Sequence, residues 1–346
     1  VLQKLGLALA SIAFALLCAE LALRALERAQ APPAQAAPDP ALAVLPELGT
    51  VFELAAPNQR GRLCGALWRT NAMGFRGPEP APGPAPGRFR IALVGDSFAA
   101  GQCVAEEDTY AARLERLLDA TRAAGDFEVL NLGLGGLNAR DVVARARALG
   151  PALHPNLYVY GFTLNDAFEA GEDWAAGPPA STGMFERLLP AMHFSALARA
   201  AVPRLIGLAS AFGPSSGYTK LILDAYADPE VGARLQRRFR DLRLLARRSR
   251  ACAHVFVHTD VAALRFGHRF EPSYDRIVAL ARDAGLSASS SYPAFRGRDS
   301  SRLRVSLFDG HPNADGHRLL AESLYASLRE LPPECGLPAL PARSGA

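Results

Sequence analysis

Apolar residues fill the chain from Leu5 to Ala19 without a charge and continue to Leu23 with only Glu20 intervening. The run approaches the ~20 residues that a helix needs to span a bilayer, with Glu20 near enough to one end to reach the interface. This predicts an N-terminal membrane anchor or signal-anchor over residues 1–28; a cleaved signal peptide and a buried helix are the alternatives. The Ala-x-Ala cleavage candidates, Ala29 to Ala31 and Ala34 to Ala36, lie beyond the charged stretch Arg24 to Arg28, which disfavours cleavage. Leu17, where a small residue is expected, disfavours a lipoprotein site at Cys18. Basic residues on the two flanks are too evenly matched to set orientation.

A Pro/Ala-rich stretch, Ala31 to Pro46, follows, and its prolines favour an extended spacer. A second, Gly77 to Gly87, separates the segment around Trp68 to Asn71 from the main body. Residues 29–87 are therefore expected as spacer and pre-domain segment, and 333–346 as a C-terminal tail.

From Arg88 the texture changes to apolar runs alternating with amphipathic helices. Strands are predicted over Phe89 to Val94, Phe127 to Leu132, Asn156 to Tyr160 and Ala253 to Thr259, with a short apolar segment at Leu286. Helices are predicted over Glu106 to Ala120, where Tyr110, Leu114, Leu117 and Leu118 share helical spacing, and over Ala139 to Leu149, Tyr274 to Ala284 and Asp315 to Leu331. A mostly helical insertion spans about 166–251 and ends in the arginine-rich helix Val231 to Arg248, whose basic side reads as a solvated face. Strands alternating with helices imply a mostly parallel sheet covered on both faces, a three-layer α/β/α sandwich over 88–332. In such sheets ligands bind beyond the carboxyl ends of the strands, so a functional residue should fall just after one.

Composition narrows the partners. Apolar residues make up 49% of the chain, which suits a globular protein with an added hydrophobic segment. The net charge is +4, from 38 basic and 34 acidic residues, and lysine occurs only at Lys4 and Lys220. That excess of arginine reads as coding bias. No basic run is interleaved with aromatics, so no nucleic-acid partner is expected. The histidines lack ligand spacing such as His-Glu-x-x-His, and no metal or other cofactor is expected. Of the five cysteines, Cys18 lies in the hydrophobic segment; Cys64, Cys103, Cys252 and Cys335 are compatible with disulfides in an oxidising compartment and equally with free thiols.

Four short segments could carry chemistry. Ser97, in Gly95-Asp96-Ser97-Phe98, follows the first strand, and Gly95 allows a tight exit. Read alone, the tripeptide is better explained by a turn or helix cap. Asn131-Leu132-Gly133-Leu134-Gly135-Gly136 follows the second strand, where glycines let backbone N–H groups approach a ligand. Neither Gly-x-Gly-x-x-Gly spacing nor a Walker lysine is present to make it a nucleotide loop. Asn165, in Gly161-Phe162-Thr163-Leu164-Asn165-Asp166, follows the third strand, and its amide is a candidate oxyanion donor. Last, Asp309-Gly310-His311-Pro312-Asn313 places a carboxylate two residues from a histidine, the pairing a serine nucleophile needs. His317, two residues after Asp315, is the rival base, disfavoured by its place inside the terminal helix.

Together these segments, in this order, resemble the SGNH (GDSL-like) hydrolase superfamily, and the resemblance covers Arg88 to about Leu331. Asn71 to Arg76 also resembles a segment that precedes the domain in membrane-anchored bacterial members. The resemblance implies a flavodoxin-like sandwich, with Ser97 as nucleophile, His311 as base and Asp309 orienting the imidazole. It implies an oxyanion hole of the Ser97 and Gly136 N–H groups and the Asn165 side chain, with Gly133 or Gly135 as alternatives to Gly136. Family members often carry Asp-x-x-His, whereas Asp309 and His311 are spaced Asp-x-His. Asp96 would be structural. The implied activity is ester hydrolysis through an acyl-enzyme on small acyl esters, with O-acetyl groups of surface carbohydrate as candidate substrate. An O-acetyltransferase would use the same residues, and a non-catalytic binding or assembly domain is the remaining alternative. The expected location is membrane-anchored, with the catalytic domain extracytoplasmic.

Overall fold

The computed structural model describes residues 11, 14–25, 45, 48, 51–121, 126–169, 195–196, 217–266, 269–306 and 309–340. The chain forms two compact units, one of Val1–Ala43 with Trp174–Leu221 and one of Val44–Asp173 with Ile222–Ala346. In the first, residues 14–25 are helical. Glu20 pairs with Arg24 at 2.7 Å and accepts hydrogen bonds from Ser195 Oγ at 2.8 Å and the Ala196 N–H at 2.9 Å. Among the described residues no helix is long and apolar enough to cross a membrane. Much of the anchor expected over 1–28 (residues 1–10, 12–13 and 26–28) and most of the insertion (170–194 and 197–216) lie outside the described residues.

The second unit is the expected sandwich. Its strands are β3 (Phe89–Gly95), β4 (Phe127–Asn131), β5 (Leu157–Phe162), β6 (Cys252–Val257) and β7 (Ser287–Ser290), after a separate hairpin of β1 (Arg60–Leu63) and β2 (Ala66–Arg69). The five-stranded sheet has the order β4-β3-β5-β6-β7, and every pairing in it is parallel. Ile91 stands opposite Val129 on one side and Leu157 on the other. The helices used below are α1 (Ser97–Ala100), α2 (Tyr110–Asp119), α3 (Ala139–Leu153), α4 (Pro229–Arg248), α5 (Glu271–Asp283) and α6 (Ala314–Leu328).

Buried parallel strands are apolar on both faces, and the side-chain period of two sorts them. Ile91, Leu93, Leu157 and Phe256 share a core with Leu114 and Leu118 of α2 and Leu320 and Leu324 of α6. On the other face Tyr160 and Phe162 meet the Phe239 ring of α4, with centroids 6.3 and 5.8 Å away. Each such fully buried side chain contributes about 1.5–3 kcal/mol relative to exposure.

Element boundaries differ from the predicted ones for local reasons. The helix expected over Glu106 to Ala120 is a 3-10 turn, Glu106–Asp108, followed by α2, because Thr109 takes an extended conformation and its side chain caps the Ala112 N–H. The helix begun at Ala139 continues through Pro151 to Leu153 before His154 leaves it in the left-handed conformation.

The pre-domain segment is built into this unit. β1 and β2 are joined by Cys64 and Gly65, whose φ values of 53° and 79° suit the tight turn that matches strand twist. Cys64 forms a disulfide with Cys103, just past α1, and Cys252 forms one with Cys335 in the C-terminal segment.

Candidate active site

β3 and β5 lie side by side, and between them the order of the sheet reverses: the connection from β3 goes out to β4, and that from β4 returns across to β5. A crevice opens at such a point. Ser97 follows β3 and Asn165 follows β5, so the two residues face each other across it. Gly95 is required there, since a Cβ would fall 2.5 Å from the Gly161 carbonyl oxygen and 2.7 Å from Ala99 Cβ. Asp96 caps α1 by accepting from the Phe98 N–H at 3.0 Å, and Ser97, the first helical residue, is 9% exposed.

The carboxyl-terminal segment meets Ser97 from outside the sheet. His311 Nε2 lies 2.9 Å from Ser97 Oγ, and His311 Nδ1 lies 2.5 Å from Asp309 Oδ1. The same Oδ1 accepts from the His311 backbone N–H at 2.9 Å. The short Asp-x-His spacing therefore folds the carboxylate back onto its own histidine. The loop is closed by the Val305 N–H donating to the His311 carbonyl at 2.9 Å, and the Phe98 ring sits 5.4 Å from the imidazole. Burial works to raise the Asp309 pKa, but hydrogen bonds from the His311 ring and backbone, with the charge of His311, outweigh it and leave it below the usual value. Side-chain exposures of 25% for His311 and 28% for Asp309 leave this edge open to solvent.

In the glycine loop the Gly133 N–H is spent on Asn131 Oδ1 at 3.1 Å and the Leu134 N–H on the Gly95 carbonyl at 3.1 Å. Gly133 packs on the backbone of Ala99 and Ala100. Gly135 lies against Ser97, a Cβ there falling 3.6 Å from Ser97 Cβ, and Gly136 beside it takes a φ of 80°. Asn165 Nδ2 donates to Asp96 Oδ2 at 3.3 Å. His317 stands apart. It is fully buried, its Nδ1 accepts from the Tyr110 N–H at 3.2 Å, and burial first, then neighbouring positive groups, lower its pKa to about 3.

Several residues at the site escaped the sequence reading. Arg76 is buried and donates to the carbonyls of Ala100 and Gly101 at 3.0 and 2.8 Å and to that of Val104 at 3.1 Å, holding the exit from α1. Thr163 donates to Asp96 Oδ1 at 2.8 Å, and His258 and Tyr110 lie behind it. Arg76 ends the Asn71 to Arg76 segment and Thr163 lies in the segment around Asn165, but nothing in the sequence singled either out; His258 fell inside a predicted strand that in the structure ends at Val257. Cys64, Cys103 and Asp309 bring their ligand atoms within 4.8 Å, but the sulfurs are joined in a disulfide and offer no thiolates to a metal.

Residues 93–319 match the GDSL-like Lipase/Acylhydrolase family, and the chain belongs to it. It is an ester-hydrolysing enzyme of SGNH type. Among solved structures it is similar to TesA, at 17% identity over 69% of this chain and 98% of that one, with a TM-score of 0.43. A two-domain esterase (CEX) active on acetylated mannans matches at 18% identity over 75% of this chain and 53% of that one, TM-score 0.43. A catalytic mutant of Axe2, an acetylxylan esterase from Geobacillus stearothermophilus, matches at 15% identity over 74% and 97%, TM-score 0.42. No curated protein matches the chain significantly.

Proposed function

We propose that the enzyme cleaves small acyl esters through an acyl-enzyme on Ser97, with O-acetyl groups of surface carbohydrate as the substrate class. The observation that carries this reading is the continuous line from Ser97 Oγ to His311 Nε2, 2.9 Å, and from His311 Nδ1 to Asp309 Oδ1, 2.5 Å. An ionised Asp309 only accepts, so Nδ1 carries the ring proton and Nε2 is left to take the Ser97 proton as Oγ attacks the carbonyl. The Ser97 and Gly136 N–H groups and the Asn165 amide then meet the negative charge on the carbonyl oxygen. His311 returns the proton to the departing alcohol, and water repeats the sequence to free Ser97. The exposed edge of His311 and Asp309 suits an alcohol carried on a polymer, because the leaving group exits on that side. A sugar hydroxyl in place of water would make the same site an O-acetyltransferase.

The catalytic unit is proposed to act outside the cytoplasm, held to a membrane by the N-terminal segment. Two disulfides support an oxidising compartment. Phe14, Leu16, Leu17 and Leu21, from 51% to 68% exposed, support insertion of their helix into an apolar phase.

Ser97→Ala is expected to lower p-nitrophenyl acetate turnover by at least about 10³-fold with the melting temperature unchanged. A fluorophosphonate should label Ser97, and equal turnover in the variant or a label elsewhere refutes the assignment. Assaying acetylated oligosaccharides with and without a sugar acceptor separates hydrolysis from transfer. Membranes carrying the full chain should keep it through a carbonate wash; release by the wash refutes the spanning anchor.

A further inference from the structure

Beneath Ser97 runs a line of buried polar side chains that the acyl-transfer steps do not touch. Tyr110 and His258 are 0% exposed, Asp96 1% and Thr163 5%. The Tyr110 hydroxyl lies 3.1 Å from His258 Nε2, and His258 Nδ1 lies 3.4 Å from Thr163 Oγ1. Thr163 Oγ1 donates to Asp96 Oδ1 at 2.8 Å. Asp96 Oδ2 in turn accepts from Asn165 Nδ2 at 3.3 Å and stands 3.5 Å from Ser97 Oγ.

Counting protons gives the line a direction. Thr163 has a single hydroxyl proton and gives it to Asp96, so at Thr163 the histidine must be the donor. His258 Nδ1 therefore carries the ring proton. Burial lowers the His258 pKa to about 3, so the ring is neutral and Nε2 is a bare acceptor for the Tyr110 hydroxyl. Every donor points toward Asp96. The neighbouring strand makes room for the pair, since a Cβ on Gly161 would collide with the Tyr110 hydroxyl and the His258 ring. Phe98, next to the nucleophile, stacks on His258 with centroids 5.8 Å apart and lies tilted against the His311 ring at 5.4 Å.

We propose that His258 is a positioning residue for the reaction at Ser97, acting through Thr163 and Asp96 to fix the Asn165 amide beside the serine. It rests on the acyl-transfer reading above. An ionised Asp96 accepts from the Asn165 amide and so keeps its Nδ2 group on the serine side; a protonated Asp96 would present a donor there and release or turn the amide. Burial raises the Asp96 pKa, and Thr163, the Phe98 N–H, the charge of His311 and Asn165 offset that only in part, leaving it above the usual carboxylate value. The titratable groups facing it are His311 from the C-terminal loop, Tyr160 from β5, Asp166 after β5, Tyr110 from α2 and His258 after β6. The Asp166 pKa is itself raised well above the usual carboxylate value, by burial first and by the charge of Asp96. Taking away the His258 donor weakens the Thr163 bond, one of the contacts that offset burial, and so raises the Asp96 pKa further.

The test is kcat and KM for p-nitrophenyl acetate from pH 5 to 9, with melting temperatures, for wild type, Ser97→Ala, His258→Phe, His258→Gln, Tyr110→Phe and Thr163→Val. His258→Phe is expected to lower kcat about tenfold with KM nearly unchanged, and to move the acid limb of kcat/KM up by about one pH unit. His258→Gln, which can accept from Tyr110 and donate to Thr163, should recover most of both. Tyr110→Phe and Thr163→Val should shift in the same direction and carry the test if His258→Phe does not fold. Wild-type turnover that requires Ser97, yet keeps its rate and acid limb in these variants, overturns this inference alone. A loss with an unmoved acid limb that His258→Gln does not recover overturns it too. Turnover that survives Ser97→Ala overturns the acyl-transfer reading, and this inference with it.

Discussion

At the scale of single residues, the outcome at the two histidines follows from solvent access. His311 keeps a quarter of its side chain in contact with water, whereas His317 is sealed between α2 and α6, with its ring stacked on Tyr110 at 5.8 Å. A buried imidazole that already accepts a backbone N–H has no lone pair left for a substrate-side proton. Asp309 reaches both N–H groups of His311 with one oxygen, while its second oxygen lies 3.7 Å from Cys103 Sγ. Asp309→Asn offers an amide that can turn its NH₂ to Nδ1 and so favour the wrong tautomer. Turnover is expected to fall on the order of 10³–10⁴-fold while the melting temperature changes little, measurable by steady-state kinetics beside a thermal melt.

At the scale of elements, α1 is too short to hold itself. Four residues cannot complete a cooperative helix, so neighbours fix both of its ends. Asp96 holds the first turn. Arg76, from the pre-domain segment, takes the carbonyls at the exit, with its guanidinium 4.7 Å from the Trp68 ring centroid. Burial lowers the Arg76 pKa to about 10, which leaves it charged at neutral pH. Arg76→Met keeps the stem and strands those carbonyls. It is expected to cost about 3 kcal/mol or more by urea unfolding, and to slow fluorophosphonate labelling of Ser97. The Cys64–Cys103 bridge closes a separation of 39 residues across the same junction, so Cys64→Ser with Cys103→Ser should destabilise the domain by about 4 kcal/mol or less in the chain-entropy picture.

For the molecule as a whole, acid sensitivity is set by what the sheet buries. His254 has both ring nitrogens on serine hydroxyls, Ser287 at 2.9 Å and Ser289 at 2.8 Å. Burial first, and then Arg282, lower its pKa to about 4. In the unfolded chain it returns to about 6.5. Between these values the unfolded state binds more protons, so its contribution is complete above pH 6.5 and is lost as pH falls toward 4. Asp96 and Asp166, with raised pKa values, act in the opposite sense, because the fold retains protons that unfolded carboxylates release. The clean measurement is a difference: melting temperatures from pH 7 to 4.5 should fall less steeply for His254→Gln than for wild type.

The sequence by itself determined the layered fold and the order of its strands along the chain, because apolar runs alternating with amphipathic helices have few other ways to bury both faces. It also determined which segments could meet at the site, since each of Ser97, the glycine loop and Asn165 stands just past a strand. Only the tertiary structure decided what depends on distance between remote segments. The sequence already favoured His311 over His317, and the structure supplies the reason, in which face of the fold each one enters. The pairing of Cys64 with Cys103 and of Cys252 with Cys335 depends on loops that approach only after the sheet forms. The hydrogen bonds of Arg76, Thr163, His258 and Tyr110 leave no local pattern, because a hydrogen bond needs a partner within about 3 Å and says nothing about spacing along the chain. Short strands such as β7, Ser287–Ser290, were legible only as a flanking apolar residue, since serines pair along an edge through backbone bonds that hydrophobic patterning does not record.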